Sequence, residues 1–164
     1  MAFAISFRMI GNKEDAEEVV QDSFLKAYRS LGKFRQDSKF STWLYKIVVN
    51  TSISKMKKKS FFTSDLYCTE ANEVTDLSIE NVESTYTNLT RSEQNKYINL
   101  ALEELVPEER LILTLYYLYE STISEIMEIT GISQENIKMK LHRARKKMYL
   151  ILERKLQSEV QYIL

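Results

Sequence analysis

TISEIMEITGISQENIKMKLHRARKKM, residues 122–148, decides the fold. Thr122 followed three residues later by Glu125 is a capping box, in which each side chain takes up a backbone amide that a helix start leaves unpaired. The short helix it opens carries Ile123, Ile126 and Met127. Gly131 then supplies a turn, since a positive φ carries no steric cost for glycine. Ser133 caps a second, longer helix. Two helices joined through a glycine turn, the second one basic, are the signature of a helix-turn-helix.

The faces of the long helix can be assigned by counting. Ile137, Leu141, Ala144, Met148, Ile151 and Leu152 recur at spacings of three and four and form the stripe that faces the preceding helices. At about 100° per residue, Gln134, Lys138, His142 and Arg145 fall on a neighbouring band, with Glu135, Met139 and Lys146 beside them. A recognition helix sets its N-terminal half against base edges and its later cations against phosphates. Lys138, Met139 and His142 are therefore expected at base edges, and Arg143 and Lys147 at phosphates; Gln134 and Lys140 complete the expected DNA-facing set. A charge run alone is more often a solvated helix face. The capping box and glycine turn favour DNA binding here.

Composition agrees with an all-α chain. Three glycines and one proline in 164 residues leave little material for tight hairpins, and 44% hydrophobic content is enough to build cores. One cysteine, Cys68, excludes an intrachain disulfide, and one histidine, His142, has no second ligand nearby to make a metal site. No apolar run approaches the roughly 20 residues that cross a bilayer, so the expectation is a cytoplasmic protein without membrane insertion. No nucleophile and base pairing, phosphate loop or H-E-x-x-H occurs; catalytic residues, cofactors and a small-molecule substrate are not expected. Formal net charge is zero, with 23 basic and 23 acidic residues. That zero is a cancellation: Asp65, Glu70, Glu73, Asp76, Glu80, Glu83 and Glu93 face a single base, Arg91, between Phe61 and Glu93, while Lys55 to Lys59 and Lys138 to Lys147 are strongly basic.

The remaining segments fall on either side of that acidic stretch. Asn12 is placed to cap a helix from Lys13 to about Ser30 with an apolar stripe of Ala16, Val19, Val20, Ser23/Phe24, Ala27 and Leu31. A polar loop, LGKFRQDSKF, follows, and Ser41 or Thr42 starts a helix carrying Trp43, Leu44, Ile47 and Val48 and ending in KMKKK. Residues 61–90 show no sustained period and read as a flexible acidic linker, since so long a loop is uncommon inside one compact domain. Beyond it, Pro107 sits in the first turn of a helix whose buried stripe is Leu111, Ile112, Leu115 and Leu118. The expected fold is two small helical domains, 1–60 and 91–164, the second a helix-turn-helix, joined by 61–90.

GNKEDAEEVVQDSFLKAYRSLGKFRQDSKFSTWLYKIVVN resembles the promoter-melting domain of bacterial RNA polymerase sigma factors of the extracytoplasmic-function type. ALEELVPEERLILTLYYLYESTISEIMEITGISQENIKMKLHRARKKM resembles their second DNA-binding domain, in the expected order. The resemblance implies that Glu18, Gln21, Asp22 and Leu25 dock on the clamp helices of core RNA polymerase. It implies that the loop Phe34 to Phe40, with Arg35 and Ser38, and the helix from Trp43 to Asn50 hold the minus-10 element. It further implies that Phe34, Trp43, Tyr45 and Asn50 offer the faces and pocket for unpaired bases, that Lys46 and Lys55 to Lys59 neutralise phosphate, and that the basic helix reads the minus-35 element. Unpaired bases need aromatic faces, and stacking is worth about 1–3 kcal/mol per base. Periodicity leaves Trp43 equally open to ordinary core packing. Promoter DNA, core polymerase and an anti-sigma factor are the partners implied. The family has about one further helix before MAFAISFRMIGN, so the chain is expected to lack the front of its first helix.

Two other functions fit parts of the pattern. A stand-alone helix-turn-helix regulator would normally dimerise on a two-fold operator. A partner-sequestering interaction module would keep the first block and lose DNA binding.

Overall fold

Caps and glycines punctuate the helices where local chemistry demands them. The Asn12 side chain accepts the Asp15 amide at 2.9 Å and opens a helix. Gly11 ends the helix before it at φ 76°, its amide donating to the Phe7 carbonyl at 2.8 Å. Thr122 and Glu125 form the reciprocal capping box, and Gly131 closes that helix at φ 74°. Ser133 accepts the Asn136 amide at 3.4 Å.

The computed structural model describes residues 1–62 and 91–163. Within them the order is α1 (Ala2–Ile10), α2 (Lys13–Ser30), a 3-10 turn (Leu31–Lys33), α3 (Phe40–Phe62), α4 (Arg91–Glu103), α5 (Pro107–Leu113) running into a π turn (Thr114–Leu118), α6 (Ile123–Thr130) and α7 (Gln134–Ile163). No strand occurs among the described residues. The expected linker lies, from Thr63 onward, outside them. No described helix is long and apolar enough to cross a membrane.

Helices α1, α2 and α3 pack on one another. The buried face of α2 is Ala16, Val19, Ser23 and Ala27, with Ser23 Oγ donating to the Val19 carbonyl at 2.6 Å. Phe24 and Leu31, expected in that stripe, are 51% and 49% exposed. Each lies off the row of small residues through which α2 approaches its neighbours. Outside this contact, Lys55 of α3 reaches Glu18 at 2.6 Å and Asp15 at 3.3 Å, and Lys59 reaches Asp15 at 2.8 Å. These hydrogen bonds, Lys59's foremost, hold the Asp15 carboxyl below its ordinary range, and Glu18 foremost raises the Lys55 ammonium.

In the second block Leu111, Ile112 and Leu115 are buried as expected, whereas Leu118 is 56% exposed. The π turn explains the difference. Tyr119 N–H donates to the Thr114 carbonyl at 3.2 Å, and the wider ring rotates residues after Leu115 off the α-helical register. Lys146, counted on the outer band of α7, is buried. Glu104, just past α4, pairs with Arg154 and with Lys155 at 2.7 Å, and both α4 and α5 pack on α7.

The two blocks share one buried cluster. Ile5, Met9, Tyr45, Val48 and Val49 from the first join Leu102, Leu111, Ile112, Ile126, Ile129, Ile137 and Leu141 from the second. α1 packs on α5, and α3 on α6.

Candidate nucleic-acid interface

Two separate surfaces carry groups suited to DNA. The first is the loop after α2 and the start of α3. Phe34, Phe40 and Trp43 form a three-ring cluster, with centroids at 5.7 Å (34 to 40), 5.2 Å (34 to 43) and 5.5 Å (40 to 43). Phe40, expected as the end of the loop, is the first residue of α3 and 49% exposed, whereas Tyr45, expected among the base-facing groups, is buried in the core beneath α3. Phe34 and Trp43 are half-buried. Trp43 is thus neither a core residue nor a lone exposed ring, and packs as the base of a surface platform. Arg35 is exposed and Ser38 half-buried in the same loop, and Lys46 and Asn50 are exposed on α3. Gln36 holds φ 60°, a left-handed conformation that turns the loop back toward α3.

Lys39, at the end of this loop, pairs with Glu125 of α6 at 2.8 Å. The hydrogen bond from Lys39, followed by that from the Thr122 backbone, holds the Glu125 carboxyl below its ordinary range. Nothing local to either residue identifies the other, so this contact is not legible from the chain alone.

The second surface is α7. Ile137, Leu141 and Ala144 are buried against the preceding helices, which leaves Gln134, Lys138, Met139, His142 and Arg143 exposed on the outer side. Lys140 and Lys147 stand apart from these. Lys140 donates to Glu108 at 2.6 Å. Lys147 donates to both oxygens of Glu109, at 2.9 and 3.0 Å, and that carboxylate is 9% exposed. Glu104, Glu108 and Glu109 from the α4 and α5 corner thus bind four cations of α7 and fix its rotation about its own axis.

A third surface is apolar and lies on α2. Leu25 is 54% exposed, beside exposed Glu18, Gln21 and Asp22. Phe24 and Tyr28, the latter 81% exposed, extend it. A patch that mixes carboxylates with large apolar groups suits a protein partner.

A helix-turn-helix whose second helix leaves a cationic outer face exposed is an arrangement suited to DNA. Residues 1–62 match Sigma-70 region 2, and residues 96–148 match Sigma-70, region 4. The chain is 34% identical over 140 residues to the ECF RNA polymerase sigma-E factor of Escherichia coli K12, covering 80% of this chain and 70% of that protein. It is 28% identical over 146 residues to the ECF RNA polymerase sigma factor SigW of Bacillus subtilis, covering 87% and 78%. The fold is shared with the sigma factor RpoE of Bartonella quintana, solved in complex with the anti-sigma factor NepR: TM-score 0.67, 23% identity, 93% of this chain and 89% of that one. The chain belongs to the ECF sigma factors, which bind core RNA polymerase and direct promoter recognition at transcription initiation.

Proposed function

We propose that the surfaces above divide the work of a promoter-specificity subunit. Residues 1–60 carry polymerase binding and the minus-10 element, residues 91–164 the minus-35 element, and 61–90 join them. Glu18, Gln21, Asp22 and Leu25 dock on the polymerase clamp helices, with Phe24 and Tyr28 enlarging the apolar part of that contact. Phe34, Phe40 and Trp43 receive unpaired bases, while Arg35, Ser38, Lys46 and Asn50 contact backbone and base edges. Lys138, Met139 and His142 face base edges of the minus-35 element, with Gln134 at the helix start and Arg143 on phosphate. Lys140 and Lys147 hold α7 against Glu108 and Glu109, and reach phosphate only by exchanging those carboxylates.

The single observation that carries this reading is the three-ring platform beside cationic and amide side chains, on the same chain as an exposed recognition helix. The protein acts in the cytoplasm, where its template is, and performs no catalysis of its own. The Bartonella relative is held by an anti-sigma factor, which makes such a protein a candidate partner here.

Gel filtration with core polymerase, followed by reconstituted transcription, tests the proposal. A monomer that co-elutes with polymerase and confers promoter-dependent transcripts is expected. A dimer that binds a palindromic site without polymerase would contradict it.

A further inference from the structure

The basic run KMKKK, Lys55 to Lys59, is expected to neutralise phosphate, yet α3 sets its lysines on different sides of the helix. At about 100° per residue, Lys57 falls about 20° from Lys46 and shares the side of α3 that carries Trp43 and Asn50. Lys55 falls about 180° from Lys46, and Lys59 about 220°, on the side turned to α2. The contacts on that side agree. Val48, also there, is fully buried, and Thr51 accepts from Lys26 of α2 at 3.1 Å.

What holds Lys55 decides its role. Its ammonium donates to Glu18 at 2.6 Å and lies 3.3 Å from Asp15, and its side chain is 26% exposed. Asp15, 21% exposed, is held through its other oxygen by Lys59 at 2.8 Å. A phosphate reaching Lys55 would have to displace two carboxylates, on the side of α3 opposite Lys46. Glu18, by contrast, is 58% exposed. Lys55 takes one of its oxygens and leaves the rest of the carboxylate to solvent, beside exposed Gln21, Asp22 and Leu25. A glutamate already held in one geometry loses less freedom when a partner docks on it. Lys57, on the platform side, is exposed.

Resting on the sigma-factor reading, we propose that Lys55 is a positioning residue for polymerase binding, holding Glu18 ready on the clamp-facing side of α2, while Lys57 carries the phosphate contact of the same basic run. Asp15 anchors Lys55, and Lys59 steadies Asp15. The three form one support for a contact that none of them makes.

Titration of full-length variants with core polymerase, then of each holoenzyme with forked minus-10 DNA over a range of salt, tests the proposal. Lys55→Met keeps the apolar stem and removes the charge; it should weaken polymerase binding about three- to tenfold, and Lys55→Arg should restore it. In a Glu18→Ala background Lys55→Met should have no further effect, because the group it positions is gone. The salt slope of DNA binding should stay at the wild-type value in Lys55→Met and fall by about one counterion in Lys57→Met. Melting curves set a temperature at which every variant is folded. A loss through instability alone would add to that of Glu18→Ala instead of vanishing in it, and such additivity would overturn the proposal. So would Lys55→Met binding polymerase as tightly as wild type or more tightly, or lowering the salt slope as Lys57→Met does. A wild-type chain that does not bind polymerase would sink the functional reading and the proposal with it; a wild-type chain that binds while Lys55→Met changes nothing sinks the proposal alone.

Discussion

Lys138 and Lys147 lie on the same helix and carry the same charge, yet differ in what holds them. Lys138 is exposed, whereas Lys147 is clamped by Glu109. Lys138→Ala is expected to alter discrimination among minus-35 sequences by about 1–3 kcal/mol, with the fold unchanged. Lys147→Ala leaves a buried carboxylate without its cation; it should cost roughly 1–3 kcal/mol of stability and weaken binding to all sequences alike. Titration against a promoter library at two salt concentrations, with a melting curve for each variant, separates the two, and identical sequence-independent losses would contradict the assignment. At the platform, Phe40→Ala should weaken binding of the single-stranded minus-10 strand by about 1–3 kcal/mol, because its ring is the more exposed part of the cluster. Measured affinity for that strand unchanged within twofold would remove Phe40 from the site.

At the scale of the helix, α2 has two independent faces. Its outer face can be altered without touching the core: Asp22→Lys with Leu25→Lys should abolish co-elution with polymerase while the melting temperature holds. Retained co-elution would place the clamp contact elsewhere. Its inner edge is tied to α3 by Asp15, whose carboxyl is held below the ordinary range by Lys59 and Lys55. A lowered folded-state pKa stabilises the fold above the unfolded carboxyl's pKa, and that contribution is lost as pH falls through the folded value. Asp15→Asn should therefore flatten the acid limb of the stability curve, from the ordinary carboxyl range downward. The bounds of α2, its Asn12 cap and the Thr122 capping box were legible because each rests on neighbours in sequence. Phe24, Leu31 and Leu118 were misplaced for a different reason. Periodicity finds an apolar side but cannot see that α2 packs through small residues, nor that a π turn shifts the register after Leu115.

For the molecule as a whole, the sequence shows two helical blocks, and periodicity predicts that the apolar stripe of each faces its own core. A stripe does not say which surface covers it, so the cluster joining Val49 and Met9 to Leu111 and Ile126 could not be read from the chain. The shared cluster makes a prediction about cooperativity. Ile137→Ala in α7 should cost roughly 2–5 kcal/mol and lower the transition seen by Trp43 fluorescence, although Trp43 belongs to the first block. Trp43 melting at its wild-type temperature would mean that the blocks unfold separately. The central claim, that this one chain gives polymerase its promoter choice through two surfaces, is tested most directly by mapping transcript 5′ ends from genomic fragments transcribed by core polymerase with and without the protein. The account predicts new start sites that share two upstream elements, one lost with Lys138→Ala and the other weakened with Phe40→Ala. Start sites identical with and without the chain would contradict it.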